Sequence, residues 1–125
     1  MNILITGASG FIGTHLAKYF AENENIKLFL LTSNKNLKSS SKNSSVIIYK
    51  DFLKINFSKL LKDIDVIVHL ISKQHELNFF KRNYSDYYKI NVKFTEKLVK
   101  EAKKNKITKI IYLSTIKVYG EYSYH

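Results

Sequence analysis

Three of the four glycines in this 125-residue chain fall within seven positions, Gly7-Ala8-Ser9-Gly10-Phe11-Ile12-Gly13. They stand between a short apolar run, Ile3-Leu4-Ile5, and a segment whose apolar residues have helical spacing. Glycines so placed meet three demands at once: a sharp turn out of a strand, close backbone approach to an anion, and tight packing of the next helix on the sheet. The unpaired amides of the first helical turn, with the positive end of the helix dipole, then hold a pyrophosphate. Other candidates for chemistry carry less. His15 and His69 have no carboxylate or second histidine at ligand spacing, and His75 and His125 offer still less, so no metal site is expected. Asp63 and Asp65 bracket the start of a strand and read as a helix end and a turn rather than an acid/base pair.

The elements that must position this loop follow from the apolar pattern. Runs of four to six apolar residues alternate with longer stretches of helical period, as in a parallel sheet wrapped by helices. Strands are expected at Ile3–Ile5, Leu28–Leu31, Val46–Tyr49, Asp65–Leu70 and Lys109–Leu113. Helices are expected at Phe11–Asn23, with Ile12, Leu16, Ala17 and Phe20 on one stripe, at Phe57–Lys62, and at Asp86–Lys104. The last should turn Tyr88, Val92, Thr95, Leu98, Val99 and Ala102 inward and Lys93, Lys97, Lys100 and Lys103 to solvent. Asn34–Ser45, rich in Asn, Lys and Ser, reads as a flexible loop, with no second domain beyond it. The result is an α/β doubly wound parallel sheet of the Rossmann type, order 3-2-1-4-5, ending after its fifth strand, as a single domain over residues 1–125.

Composition narrows the function classes. With 45% hydrophobic and 14% aromatic residues the chain can fill a core, which argues against intrinsic disorder. No cysteine is present, so disulfides, thiolate zinc sites and a cysteine nucleophile are excluded, and a reducing cytoplasm fits. Neither a signal peptide nor a membrane span is visible: Thr6-Gly7 breaks the first apolar run, and Asp65 and His69 interrupt the longest. The net charge of +11 invites a nucleic-acid partner, but 20 of the 21 basic residues are Lys, with Arg82 the one guanidinium. Base and phosphate recognition favours the rigid Arg fork, and the excess of lysine reads as solvated helix faces and loop tips.

Ile5-Thr6-Gly7-Ala8-Ser9-Gly10-Phe11-Ile12-Gly13 resembles the opening of the extended short-chain dehydrogenase/reductase group, the NAD(P)-dependent epimerases and dehydratases of nucleotide sugars. Three further segments recur in that group's order: Val68-His69-Leu70-Ile71, Asn91-Val92 with Thr95, and Leu113-Ser114-Thr115 followed by Val118-Tyr119-Gly120. The resemblance spans the whole chain and the first part of a family member. It implies that Gly7, Gly10, Phe11, Ile12 and Gly13 bind the pyrophosphate of NAD or NADP, with Ser9 on the loop. It further implies that Asp51 and Phe52 contact the adenine ring, that Leu70, Ile71 and Ser72 lie along the cofactor, and that Asn91 supports the site from the long helix. Thr115 matches the Ser/Thr that hydrogen-bonds the substrate's reacting oxygen.

Two departures qualify the resemblance. Where the second strand ends, relatives carry an acid that binds the adenosine ribose and selects NAD, but this chain reads Leu31-Thr32-Ser33-Asn34-Lys35. Thr32, Ser33 and Lys35 could accept a 2′-phosphate or could form a polar turn, so NAD and NADP both stay open. The second departure concerns catalysis. In relatives a Tyr-x-x-x-Lys pair follows the Ser/Thr, the lysine lowering the tyrosine pKa so that it moves the substrate's hydroxyl proton. No tyrosine in this chain has Lys four positions on. The expectation is an amino-terminal fragment that binds dinucleotide, acts on a nucleotide sugar only when a carboxy-terminal part is supplied, and forms a homo-oligomer or pairs with a complementing chain. The alternative is a non-catalytic dinucleotide sensor that meets a partner through the open edge of its fifth strand.

Overall fold

The computed structural model describes residues 1–39, 41–73 and 84–114. Five parallel strands, β1 (Asn2–Thr6), β2 (Lys27–Thr32), β3 (Ser44–Ile48), β4 (Val66–His69) and β5 (Lys109–Tyr112), form one sheet in the order β3-β2-β1-β4-β5. β1 lies at the centre, with Ile3 beside Leu28 on one side and beside Val66 on the other. Its residues Ile3 to Thr6 are all buried because the sheet is covered on both faces, which is why a strand of this kind reads as an unbroken apolar run.

Alternation along the strands divides the core in two. Ile3 and Ile5 of β1, Leu28 and Leu30 of β2 and Val68 of β4 pack with Ala17 of α1 (Phe11–Ala21). Leu4, Leu31 and Ile67 face the other way, against Phe57 of α2 (Phe57–Leu60) and Phe94, Leu98 and Ala102 of the long helix. That helix runs as α3 (Tyr84–Tyr87), a π-helical segment (Tyr88–Phe94) and α4 (Thr95–Lys104).

The sheet order is the expected one, whereas several boundaries and faces differ. β3 starts at Ser44, so the last two residues of the expected loop pair through their backbones with Leu28 and Phe29. Serine side chains hide such a strand from any apolar pattern, while the ladder needs only backbone groups. The inward face of the long helix is Phe94, Leu98 and Ala102, while Tyr88, Val92 and Val99 are exposed. The cause is the π segment, whose wider turns break a 3.6-residue extrapolation across residues 88–94. Lys97 was expected in solvent; its ammonium instead lies over the Phe57 ring and donates to the Leu53 and Ile55 carbonyls, tying the 3-10 turn Phe52–Lys54 to the helix. Ile12, expected on the buried stripe of α1, is exposed on its first turn, and Gly13 takes the inward place.

Phe94 touches Tyr49, Phe52, Phe57 and His69 at ring-centroid distances of 5.6–6.4 Å. Phe94→Ala should therefore cost about 3–5 kcal/mol of unfolding free energy, against under ~1 kcal/mol for Val92→Ala. Urea denaturation distinguishes the observed face from the expected one, since a larger loss at Val92 would reverse the assignment.

Candidate functional site

β1 ends at Thr6 and the chain turns through Gly7, whose φ of +71° is a left-handed conformation that costs glycine nothing. The Gly7 and Ala8 amides both donate to the Leu31 carbonyl, and the Gly10 amide donates to the Gly7 carbonyl, closing the loop on itself. A Cβ on residue 13 would overlap the Gly7 carbonyl oxygen and stand 2.8 Å from Ala8 Cα, so α1 rests directly on the backbone of the turn it leaves. Gly10 differs. A Cβ there would meet only the Gly7 oxygen, at 3.2 Å, and the residue is otherwise open. The fold thus presses less hard for glycine at position 10 than at position 13, where a Cβ would overlap backbone.

Gly10 is the N-cap of α1 and supplies no side-chain cap, and the first turn carries no acidic residue. The amides of that first turn and the positive end of the helix dipole favour an anion. Phe11 and Ile12 are exposed beside it, with the Phe11 ring 4.6 Å from the His15 ring. Ser9 Oγ accepts a 2.8 Å hydrogen bond from Thr32 Oγ1, joining the loop to the end of β2. Thr32 is buried, and Ser33 is exposed immediately after it. At the end of β3, Asp51 uses one carboxylate oxygen to cap the 3-10 turn through the Leu53 amide, and Phe52 packs against Phe94.

The far wall comes from β4. Leu70 and Ile71 bring their backbones to 3.1 Å from the place a Gly7 Cβ would take, so this segment and the glycine turn meet where β1 parts its neighbours. Ser72 is exposed at the same rim. Asn91 holds the segment by a two-way clamp: its Oδ1 accepts from the Lys73 amide at 2.7 Å, and its Nδ2 donates to the Lys73 carbonyl at 3.0 Å. Thus Gly7, Ser9, Gly10, Phe11, Ile12, Gly13, Leu70, Ile71 and Ser72 lie at the carboxyl ends of β1 and β4, and Thr32, Ser33, Asp51 and Phe52 lie after the ends of β2 and β3. Asn91 stands behind the β4 wall. Thr115 lies outside the described residues, as do Tyr119 and Gly120.

Sequence reasoning missed the group that locks the crevice. His69 is 1% exposed and sits between the Phe94 and Tyr112 rings. Thr95 Oγ1 gives its only proton to the Asn91 carbonyl, so it must accept from His69 Nε2–H at 2.9 Å. Nδ1 is then the acceptor and takes the Thr6 hydroxyl proton at 2.6 Å, while Thr6 Oγ1 accepts from the Leu70 amide. One imidazole tautomer therefore joins the ends of β1 and β4 to the long helix. Burial pushes its pKa from 6.5 down to about 4. The available signal was a histidine closing an otherwise apolar buried strand, since such a group needs partners on both nitrogens.

Comparison with known proteins gives the same fold. The model of the NAD dependent epimerase/dehydratase family matches residues 3–124. The dTDP-D-glucose 4,6-dehydratase of Dictyostelium discoideum is 35% identical over 131 residues, covering 94% of this chain and 30% of that protein. The structure of UDP-glucuronic acid 4-epimerase from Bacillus cereus, in complex with UDP-glucuronic acid and NAD, superposes with a TM-score of 0.85 at 30% identity, covering 99% of this chain and 43% of that one. UDP-N-acetylglucosamine 4-epimerase from Methanobrevibacter ruminantium gives a TM-score of 0.83 at 27% identity, covering 97% and 40%. The chain thus spans less than half the length of each of these relatives.

Two measurements check the geometry. Gly13→Ala should lose at least about 2 kcal/mol of stability through its clash with backbone, whereas Gly10→Ala should stay within about 1 kcal/mol of the parent. Because His69 is neutral in the fold and its pKa is depressed, its stabilising contribution is complete above pH 6.5 and is lost as pH falls toward 4. Stability should fall between pH 6.5 and pH 4.5 by up to about 1.4 kcal/mol per pH unit from this one group, and the melting temperature should fall with it. His69→Gln should flatten that dependence; an unchanged slope would show that other groups set it.

Proposed function

The chain belongs to the NAD dependent epimerase/dehydratase family, and on that footing we propose that its β1–β4 crevice binds a nicotinamide adenine dinucleotide in the service of nucleotide-sugar conversion. The observation that carries the reading is the glycine turn with its uncapped helix start, where position 10 is exposed and a Cβ would meet only the Gly7 carbonyl oxygen. A Cβ at that point would stand in the path of a pyrophosphate. The residues present fit the group: a turn that brings amides to the anion, a polar side at the ends of β2 and β3, and an apolar wall of Leu70 and Ile71.

In this reading Gly7, Gly10 and Gly13 shape the pyrophosphate cradle, and the amides at the start of α1 hold its charge. Asp51 and Phe52 meet the adenine, and Ser72 the cofactor beyond the crevice. Asn91 and His69 are positioning residues that fix the β4 segment through Lys73, Thr6 and Thr95. When bound, the nicotinamide supplies reversible hydride exchange with a sugar carbon. Thr115 would hydrogen-bond the sugar's reacting oxygen. No Tyr-x-x-x-Lys pair occurs in these 125 residues; the proton-moving base is therefore assigned to further polypeptide, joined or complementing. Among the described residues no strand lies beyond β5, and Ile111 and Tyr112 are about half exposed; that edge is the docking place this requires. No helix among the described residues is long and apolar enough to cross a membrane. A cytoplasmic setting belongs to the proposal, supported by the cysteine-free composition.

Thermal unfolding with and without dinucleotide tests the reading. A ligand at about 100 times its dissociation constant should add about 2.7 kcal/mol. Gly10→Asp, which puts a carboxylate on the anion path, should abolish the gain while keeping a cooperative melt. A protein that melts cooperatively and responds to no dinucleotide would overturn the proposal.

A further inference from the structure

His69 stands at the joint of the crevice. It is matched with Thr6 in the last pair of β1 and β4, and the next residues on the two strands are Gly7 of the turn and Leu70 of the wall. Thr6 holds that wall twice, since the Leu70 amide lies 3.2 Å from both its carbonyl oxygen and its Oγ1. Whatever parts Thr6 from His69 therefore acts on both sides of the crevice at once.

The hydrogen bonds around the imidazole suit one protonation state. Thr95 Oγ1 gives its proton to the Asn91 carbonyl and accepts from Nε2, and Nδ1 accepts from the Thr6 hydroxyl. A proton added at Nδ1 would face that hydroxyl across 2.6 Å, donor against donor. Thr6 Oγ1 would then accept from both His69 and Leu70, and the proton of this fully buried hydroxyl would have no acceptor among the described contacts. An orphaned buried hydroxyl is costly enough to make the joint yield. The groups that face the ring are Thr6 from β1, Phe94 and Thr95 from the long helix, and Tyr112 from β5. Of these only Tyr112 is titratable, and a phenol carries no charge in acid. The nearest charges along the helix and wall are engaged with each other, Lys93 with Glu96 and Lys73 with Asp86. Burial is accordingly the one cause that lowers the imidazole pKa to about 4.

We propose that His69 is a proton-operated latch on the crevice: with the imidazole neutral, Thr6 holds Leu70 and Ile71 against the Gly7 turn, and a proton on the imidazole releases that wall and with it the dinucleotide. Proton and dinucleotide then exclude one another, each weakening the other's binding by the same factor. The inference rests on the dinucleotide reading above and adds the control of that site.

NAD titrations together with NMR observation of the His69 ring test it, on the parent chain and on Tyr112→Glu. That change sets a carboxylate at the half-exposed position whose ring stacks on His69, where it favours the imidazolium. The parent's affinity for NAD should be level between about pH 8 and pH 6. In Tyr112→Glu it should fall roughly tenfold between about pH 7.5 and pH 5. Tyr112→Gln should keep the parent's profile, and adding His69→Gln to Tyr112→Glu should restore it. In the parent and in Tyr112→Glu, NAD at about 100 times its dissociation constant should lower the His69 titration midpoint by at least about one pH unit. A midpoint that NAD leaves in place would overturn the inference while leaving the dinucleotide reading intact. A level affinity across a range in which His69 titrates would also overturn it, as would a pH dependence that survives His69→Gln. Failure of the parent to bind NAD at about pH 7.5 would remove the dinucleotide reading itself.

Discussion

The crevice depends on a contact in which no side chain takes part: helix α1 lying on the backbone of the turn that precedes it. Because residue 13 has no Cβ, the Gly7 carbonyl and Ala8 Cα fill the space a side chain would need. This close seating brings the first turn of α1 to the end of β1. On the opposite side Gly7 admits the backbone of Leu70 and Ile71 almost as closely. The turn, the helix that follows it and the distant segment after β4 thus converge on the space left by absent side chains. The anion-binding character of the loop is a by-product of that packing, since amides drawn so near the sheet end have no neighbouring side chain to cap them.

A second constraint fixes what the first brings together. The imidazole of His69 has its two nitrogens in opposite hydrogen-bonding roles, set by Thr95, whose proton is already given to the Asn91 carbonyl, and completed by the Thr6 hydroxyl. The network is fully satisfied and buried, a condition under which polar groups specify one arrangement rather than several. It also bonds to the π segment of the long helix, where Thr95 Oγ1 reaches the Asn91 carbonyl and Asn91 in turn clamps Lys73. An irregular helix and a buried histidine are therefore parts of the same device, one that sets the height of the β4 segment above the sheet.

How much of this was legible in the sequence depends on the kind of force involved. The glycine loop, the sheet order and the buried centre of the sheet could be read because burial and backbone sterics leave a local mark, as at Ile3 to Ile5 and at Gly13. β3 was displaced in the reading because Ser44 and Ser45 pair through backbone alone. Phe94 was overlooked because its inward direction follows from helical phase, and the π turns before it change that phase. The roles of Thr6, His69 and Thr95 rest on contacts up to 64 positions apart and leave no local pattern. Ser9 and Thr32 are similar: their hydroxyl bond spans 23 positions and explains why the end of β2 turns its polar side chain toward the loop.

The central place of β1 has a consequence for the way the chain is made. The strand synthesised first takes one neighbour from β2 but waits for the other until β4 exists, 63 residues later at the Thr6–His69 pair. At translation rates of ~5–20 residues per second that interval lasts about 3–13 s. During it the central strand of the sheet lacks at least one neighbour in the nascent chain, and α1 has at most half a sheet beneath it. The middle of the molecule is thus begun first and completed among the last, leaving a time window in which a ribosome-associated chaperone has something to hold.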